Sequence, residues 1–531
     1  MGDWISNLIE DYKYVDGKHF GERKHWLHDD YVKFIRLSES LIERNGEGVL
    51  GFITNHGYLD NPTFRGMRWH LLNTFDRIHV LDLHGNAKKK EVTPEGKPDK
   101  NVFDIQQGVA IIIAVKTGKK KKGEAEVWHG DLWGTREAKN TVLEKGQIGK
   151  PIAEKIECSA PKYAFARQDD MLRAVYGNGF GLAEFMPENS VGIVTGKDYV
   201  NISFSASDTS EKLNLLKTLS DSDARRYFKL KNKDARDWTL PTARADAVAC
   251  EKTGVLTDLT YRPFDQRFTF YTGNSRGLYA SPQKRLMRHM LEKGNMCFVS
   301  VSRQPLNTPA GYIFASNRMI VNGTIRSDSV SIDSIFPLYL YPDEQDLEKS
   351  RRVNFEQKLY RKLRELADHP AHGKPDEVQV FDYIYGVLHS PAYRETYRAF
   401  LKIDFPRIPW PPSPDEFWDV SAKGAELRKL HLMEPTSIGV HTYPFTGDGD
   451  NKVDKPRFED GHIWITESQY LSDAPTVSWD FYIGGYQPAQ KWLKDRKGRA
   501  LSFEDVKHYQ RILKILSETF RIMRTIEMSL T

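Results

Sequence analysis

Cysteine is scarce: Cys158, Cys250 and Cys297 are the only three in 531 residues. They lie too far apart to supply a disulfide framework or the paired spacing of a zinc site. A reducing cytoplasm is the expected location, and no metal site is expected. Long apolar runs are also missing. The most apolar stretch, Gly108 to Val115, falls well short of the roughly 20 residues that a membrane span needs. No basic-then-apolar leader opens the chain. P-loop, HExxH and G-x-S-x-G patterns are absent, which removes the commonest nucleotide, zinc-protease and serine-hydrolase readings. A charge excess of one sign is lacking too, because 77 Lys and Arg stand against 72 Asp and Glu, leaving +5.

What is present can build cores. Hydrophobic residues make up 39% and charged residues 28%, with 11 Trp, 24 Tyr and 27 Phe, so a folded chain of two or three domains is expected rather than disorder. The basic excess is local. Between Gly85 and Ala125 ten lysines, among them Lys88, Lys89, Lys90, Lys119, Lys120 and Lys121, face five acids. Such a cluster favours a polyanion through released counterions, or is a solvated loop.

Hydrophobic spacing organises the chain. Tyr31, Phe34, Ile35, Leu41 and Ile42 recur at helical intervals between Asp29 and Arg44, with Asp29 or Asp30 as cap and Gly46 just past the end. Val49 to Thr54 reads as a buried strand, and Pro62 and Thr63 open a second helix. Arg77 to Leu83, Gly108 to Val115 and Glu126 to Trp133 read as further strands, in a sheet covered on both faces. The first 135 residues are therefore expected to be α/β. Residues 136–189 read as a connector, 190–345 as a β-rich part and 346–531 as a helical and mixed part. In the last of these, Ser502 and Asp505 form a capping box before a long amphipathic helix. Single histidines such as His56 and His84 read as satisfied loop or core residues. Gly177 to Gly181 reads as a loop.

Candidate contacts follow from side-chain chemistry. Asn55, Tyr58 and Asp60 come after a strand's C-terminal end, where open α/β sheets carry functional loops. Arg262 and Arg267, with Tyr271, Arg276 and Tyr279 downstream, combine guanidinium forks with aromatic faces suited to DNA; a structural network around Asp265 is the alternative. Ser302, Arg303 and Gln304 end an apolar run and offer donors to phosphates or bases, or simply close a strand. Tyr486, Gln487, Lys491, Trp492, Lys494, Arg496, Lys497 and Arg499 form the densest basic-aromatic patch of the C-terminal third, with Gln487, Lys491, Lys494 and Arg496 as its DNA candidates.

Longer motifs carry a resemblance. Asp30 to Arg36 (DYVKFIR), Gly51 to Asn55 (GFITN), Phe64 to Arg68 (FRGMR), Val80 to Asn86 (VLDLHGN), Asn101 to Ile105 (NVFDI), Tyr261 to Arg267 (YRPFDQR), Asp382 to Tyr397 (DYIYGVLHSPAYRETY) and Tyr482 to Gln510 resemble the post-catalytic half of gamma-class adenine-N6 DNA methyltransferases. The similarity is to the large type ISP restriction-modification proteins and runs in order over nearly the whole chain. It implies the C-terminal part of a Rossmann-like methyltransferase sheet, followed by an α+β target-recognition domain with a mostly helical C-terminal region. It places Arg65 and Arg68 in the lining of the catalytic cleft, and sets Asn101, Phe103 and Gln107 in a loop facing the target base. It also implies double-stranded DNA as partner and S-adenosylmethionine as the complete enzyme's cofactor.

The sequence departs from that family in one respect. It holds neither an Asn-Pro-Pro-Tyr loop nor a glycine-rich methyl-donor loop; Asn61-Pro62-Thr63-Phe64 is a superficial echo. No catalytic residue is therefore expected in this chain, and no cofactor bound by it alone. The edge of the partial sheet should be covered by a separately encoded N-terminal methyltransferase or nuclease-helicase part, or by a homo-oligomer. The alternative is a noncatalytic DNA-binding or assembly subunit that docks a partner on the partial sheet.

Overall fold

The computed structural model describes residues 2–530 apart from 22–24, 88–90, 96, 120–122, 147–152, 161, 168–169, 292–293, 305–310, 327–331, 344–348 and 441. The chain divides into two compact units, Met1–Arg173 and Ala174–Thr531. That division falls inside the stretch read as a connector, which is not structureless: a helix and a strand within it belong to the first unit. Positions 190–345 and 346–531 both lie in the second unit.

In the first unit, helix α1 (Asp30–Asn45) ends at Gly46, whose φ of 86° is left-handed and whose N–H donates to the Ile42 carbonyl. Asp29 stands at the N-cap without a side-chain cap bond. Strand β1 (Glu47–Asn55) follows, then helix α2 (Arg65–Thr74), strands β2 (Arg77–Asp82), β3 (Val109–Thr117) and β4 (Glu126–Asp131), helix α3 (Arg136–Lys145) and strand β5 (Glu154–Ile156). The sheet order is β1-β3-β2-β4-β5. Strand β3 lies antiparallel between β1 and β2, which makes those two parallel, and β4 is parallel to β2. One face buries Leu50, Ile78, Val80, Ala110, Ile112 and Ala114 with Met67, Leu71 and Leu72 of α2 and Val32 and Ile35 of α1. The other face is half-open. Val49 and Ile53 are 64% and 52% exposed, and Ile111, Ile113 and Val115 are only half-buried. The expectation of a sheet covered on both sides is thus corrected: α1 and α2 serve one face only.

In the second unit, β6 (Val255–Arg262) and β7 (Asp265–Tyr271) form a hairpin whose three-stranded sheet is completed by Met319–Ile320. Strands β8 (Cys297–Val301), β9 (Ile313–Ser316) and β10 (Asp333–Pro337) make a second sheet with Ser190–Val191, in the order β9-β8-β10-(190–191). Helices α4 (Glu377–His389) and α5 (Pro414–His431) cross closely because Gly386 and Gly424 sit at their contact. A Cβ on Gly424 would fall 1.8 Å from the Asp382 carbonyl oxygen. Phe298 of β8 stacks on Phe381 of α4 at 3.7 Å between ring centroids. Helix α6 (Phe503–Met523) begins with the expected Ser502/Asp505 capping box and buries Tyr509, Ile512, Leu513 and Leu516. Among the described residues no helix is long and apolar enough to cross a membrane.

Candidate nucleic-acid interface

At the strand ends of the first unit, histidines and aspartates that look isolated in the sequence are drawn into one cluster. Parallel pairing of β2 with β4 sets Asp82 opposite Asp131. His56, just past β1, places Nδ1 3.0 Å from Asp82 Oδ1. His84 donates its backbone N–H to Asp82 and puts Nε2 2.9 Å from Asp131 Oδ1. His129 Nε2 lies 3.2 Å from the same oxygen. The arrangement is over-determined. His84 adopts a φ of 52° with its ring stacked on Trp133, and a Cβ on Gly108 would collide with the His56 ring at 2.4 Å. Burial pushes the Asp82 carboxyl up, but the His56 hydrogen bond and the His56 and His84 charges outweigh it, so Asp82 stays below its ordinary value. Asp131 is likewise depressed: His129 and His84 overcome the effect of burial. The candidate ligand atoms of His56, Asp82 and His84 lie within 4.8 Å of one another and could hold a divalent cation, although their mutual hydrogen bonds already satisfy most of that capacity. The cluster anchors the loops after β1, β2 and β4. Its sequence signal is the Asp-x-His and His-x-Asp spacing at positions 82–84 and 129–131.

The candidate cleft residues separate into exposed and internal ones. Arg68, expected beside a cleft, is fully buried. Its guanidinium donates to the backbone carbonyls of Tyr58, Asn61, Lys162 and Tyr163, and burial lowers its pKa to about 10. Tyr58 is buried as well. Asn101 is spent on its own loop, donating to the carbonyls of Gly85 and Gln107 and accepting from the Phe103 N–H. Asn55 caps a turn by accepting from Gly57 N. Arg65 is half-buried and lies over the Phe20 ring at 4.2 Å. Asp60, Phe103 and Gln107 are exposed. Of the lysine cluster, Lys119 is exposed, whereas Lys88, Lys89, Lys90, Lys120 and Lys121 lie outside the described residues.

In the second unit the basic-aromatic candidates form a layered network around Asp265, which is 1% exposed. Arg267 grips this carboxylate with two hydrogen bonds of 2.9 and 2.7 Å, and Arg496 adds a third of 2.9 Å. Burial alone would raise the carboxyl; Arg496 and Arg267 outweigh it and hold it below its usual range. Phe204, which sequence reasoning missed, supplies a ring under Arg267 at 3.6 Å and Arg499 at 3.8 Å. Arg267 and Arg496 are therefore internal struts and present little surface to a duplex. Tyr271 and Tyr279 are buried too; the Tyr271 hydroxyl donates to the Pro282 carbonyl and that of Tyr279 is bonded within the hairpin.

The remaining candidates stay accessible. Arg262 lies between the rings of Tyr261 (4.1 Å) and Tyr486 (5.1 Å), and Lys491 stands 5.8 Å from the Tyr486 centroid. Two sequence segments some 220 residues apart are thereby joined. Lys491 also pairs with Asp495 at 2.5 Å. Arg276 and Lys494 are exposed, while Ser302, Arg303, Gln304 and Gln487 are half-buried. In the glycine-rich Gly177–Gly181 stretch, Phe180 pairs with Ile408 and Gly181 with Arg407, and a Cβ on Gly179 would fall 2.5 Å from the Ile408 carbonyl oxygen, so Gly179 serves close backbone packing.

Comparison with solved structures finds the same fold in three DNA complexes. The DrdV–DNA complex matches at a TM-score of 0.63 and 20% identity over 99% of this chain and 55% of that one. The ATP-dependent Type ISP restriction-modification enzyme LlaBIII bound to DNA matches at 0.64 and 16% over 100% and 36%. A nuclease-deletion mutant of the Type ISP enzyme LlaGI with a DNA substrate mimic matches at 0.58 and 18% over 99% and 42%. The chain thus spans between about a third and just over half the length of these proteins. No curated protein matches it. Residues 184–525, well over half of the chain and nearly all of its second unit, fit the family model of the Type ISP C-terminal specificity domain, and on that match the chain belongs to this family as a target-recognition C-terminal part.

Proposed function

We propose that this chain reads DNA sequence for a restriction-modification enzyme that methylates adenine at N6. The observation that carries the reading is the specificity-domain match over 184–525, supported by a fold shared with three proteins solved on DNA. The first unit supports the methyltransferase assignment through its sheet order, in which one antiparallel strand is inserted between two parallel ones. In this reading it is the C-terminal portion of a Rossmann-like sheet. In the same reading S-adenosylmethionine and the loop that holds the extruded adenine are bound by residues outside these 531. Arg276, Arg303, Lys494 and Lys119 are the phosphate contacts, Gln304 and Gln487 the candidates for base edges, and Phe103 and Gln107 face the target base. Phosphate contacts position the duplex and base-edge contacts specify it.

Selection of a randomised duplex pool on the purified chain tests the reading. An enriched sequence is expected, with affinity falling as salt rises by a log–log slope of about −0.9 per phosphate contact. Absence of an enriched sequence, or binding indifferent to salt, overturns it. Calorimetry with S-adenosylmethionine should give no heat for these 531 residues alone; micromolar binding would refute the assignment of the donor pocket to residues outside them.

A further inference from the structure

The histidine–aspartate cluster at the strand ends of the first unit is satisfied by hydrogen bonds except at its centre. His56, Asp82 and His84 are all buried. Asp131, held ionised by His129 and His84, lies 2.9 Å from His84 Nε2 and so makes that nitrogen the ring's N–H. Nδ1 of the same ring is left with a lone pair. It faces Asp82 Oδ2 at 3.7 Å, beyond hydrogen-bond reach, and has no other partner among the described residues. Asp82 Oδ1 is already occupied, accepting from the His84 N–H and lying 3.0 Å from His56 Nδ1. Two acceptors that face each other away from water repel, and a positive charge between them removes the cost. His56 brings a third donor atom to the gap, and one ligand atom from each of the three residues lies within 4.8 Å of the other two. The separations of 3.0 Å (His56–Asp82) and 3.7 Å (His84–Asp82) bracket the roughly 3.4 Å expected between neighbouring ligands of a tetrahedral ion at about 2.1 Å. Tyr58, on the same turn as His56, adds a fully buried hydroxyl that holds no hydrogen bond among the described residues. Burial, then the neighbouring Tyr31 and Asp82, push its pKa up. Water on an ion at this place is a partner of the kind that hydroxyl lacks.

We propose that His56, Asp82 and His84 bind one zinc ion, with water on the remaining position. Two imidazoles and a carboxylate are a donor set that zinc takes, and three protein ligands with one open position distinguish such sites from closed structural ones. Asp131 is a positioning residue: a carboxylate on the far N–H of a ligating histidine fixes its tautomer and aims its ring. On binding, the proton of His56 moves from Nδ1 to Nε2, so the ring stays neutral and Nδ1 turns its lone pair to the ion. Asn86 Nδ2 lies 3.5 Å from His56 Nε2, and the Asn86 amide meets the relocated N–H once its oxygen faces inward. The ion ties the loop after β1 to the loop after β2, two strands that β3 separates in the sheet. His56 stands 26 positions from Asp82, which is why no ligand spacing marks the site in the sequence.

Elemental analysis of the full chain, purified without chelator or histidine tag and supplied with micromolar zinc, tests the proposal. About one zinc per chain is expected. The content should fall at least about tenfold in Asp82→Asn and in His84→Asn. It should be unchanged in His372→Ala, which alters an exposed histidine of the second unit. Asp131→Asn keeps the three ligands and should weaken zinc by about 10- to 100-fold in competition with a chromophoric chelator. Circular dichroism checks that each variant is folded. If the ligand variants are not, the unaltered chain decides by itself. Cobalt(II) in place of zinc should then give the visible absorption of a four-coordinate ion and two exchangeable, paramagnetically shifted imidazole N–H resonances, from His56 and His84. A chain that takes up no zinc overturns the proposal, as does zinc retained in folded Asp82→Asn and His84→Asn, or a cobalt form without shifted imidazole resonances. Zinc lost from His372→Ala to the same extent marks surface binding and overturns it too. An unchanged affinity in Asp131→Asn overturns the positioning role.

Discussion

Asp265 illustrates how little of an arginine's role its neighbours in sequence reveal. The segment Arg262–Arg267 reads either as a basic-aromatic patch or as a structural network around Asp265, and the network is what forms: one carboxylate absorbs both Arg267 and, from far along the chain, Arg496. A carboxylate at 1% exposure is tolerable only because these partners compensate for the loss of hydration. Replacing it by the isosteric Asp265→Asn leaves two guanidiniums buried without a counter-charge. Thermal and urea unfolding of that variant should report a loss of about 3–5 kcal/mol; a loss below about 1 kcal/mol would contradict the network's structural role. Arg276 and Arg303 contrast with these two, since among the described residues neither side chain holds a hydrogen bond or ion pair. Arg276→Ala and Arg303→Ala should each leave stability within about 0.5 kcal/mol. Each should lower the salt slope of duplex binding by about 1. An unchanged slope in both would remove them from the interface.

Among the elements, the α4–α5 crossing is close because two side chains are missing from it. Gly386 faces the Val420 carbonyl at 2.5 Å and Gly424 faces the Asp382 carbonyl at 1.8 Å, measured from where a Cβ would stand. Backbone atoms cannot swing aside as the end of a long side chain can, so Gly424→Ala must push the helices apart. Helix propensity alone would favour alanine by about 1 kcal/mol, yet overpacking costs about 1–3 kcal/mol and occasionally more. A lowered melting temperature is therefore expected despite the better helix former; a raised one would mean that the crossing is looser than described. Helix ends were the more legible feature. Gly46 after α1 and the Ser502/Asp505 box before α6 act through contacts within four residues, and both occur where the sequence placed them.

At the scale of the molecule, acid should weaken the fold through its buried imidazoles, while Asp333 and Asp382, whose carboxyls burial raises to about 6, act in the opposite sense. Burial lowers the His389 pKa to about 4 and that of His431 well below its ordinary 6.5. His431 accepts from the Tyr385 hydroxyl at Nδ1 and faces Thr519 Oγ1 with Nε2, a pattern that needs the neutral ring. Below pH 6.5 the unfolded chain binds protons that the folded chain refuses, so unfolding gains free energy as pH falls. The stabilisation is complete above about pH 6.5 and is lost on descent toward 4, at up to about 1.4 kcal/mol per pH unit for each ring. Urea midpoints should decline from pH 7.5 to 5, less steeply in His389→Gln. An identical decline in His389→Gln and the unaltered chain would show that this ring is not buried in the neutral form.

Amino-acid order alone determined the segments: the helix of residues 30–45, strands β1 to β4 within two residues at either end, the helix end at Gly46 and the Ser502/Asp505 capping box. Those features rest on side-chain periodicity and short-range hydrogen bonds, which are local and so are written along the chain. Only tertiary structure decided that Arg267 and Arg496 are struts, that His56, Asp82, His84, His129 and Asp131 form one cluster, and that one face of the first sheet is half-open among the described residues. Arg496 meets Asp265 across 231 positions and Asp82 meets Asp131 through strand register. Pairings at that separation depend on how whole elements pack, and no local pattern encodes the partner.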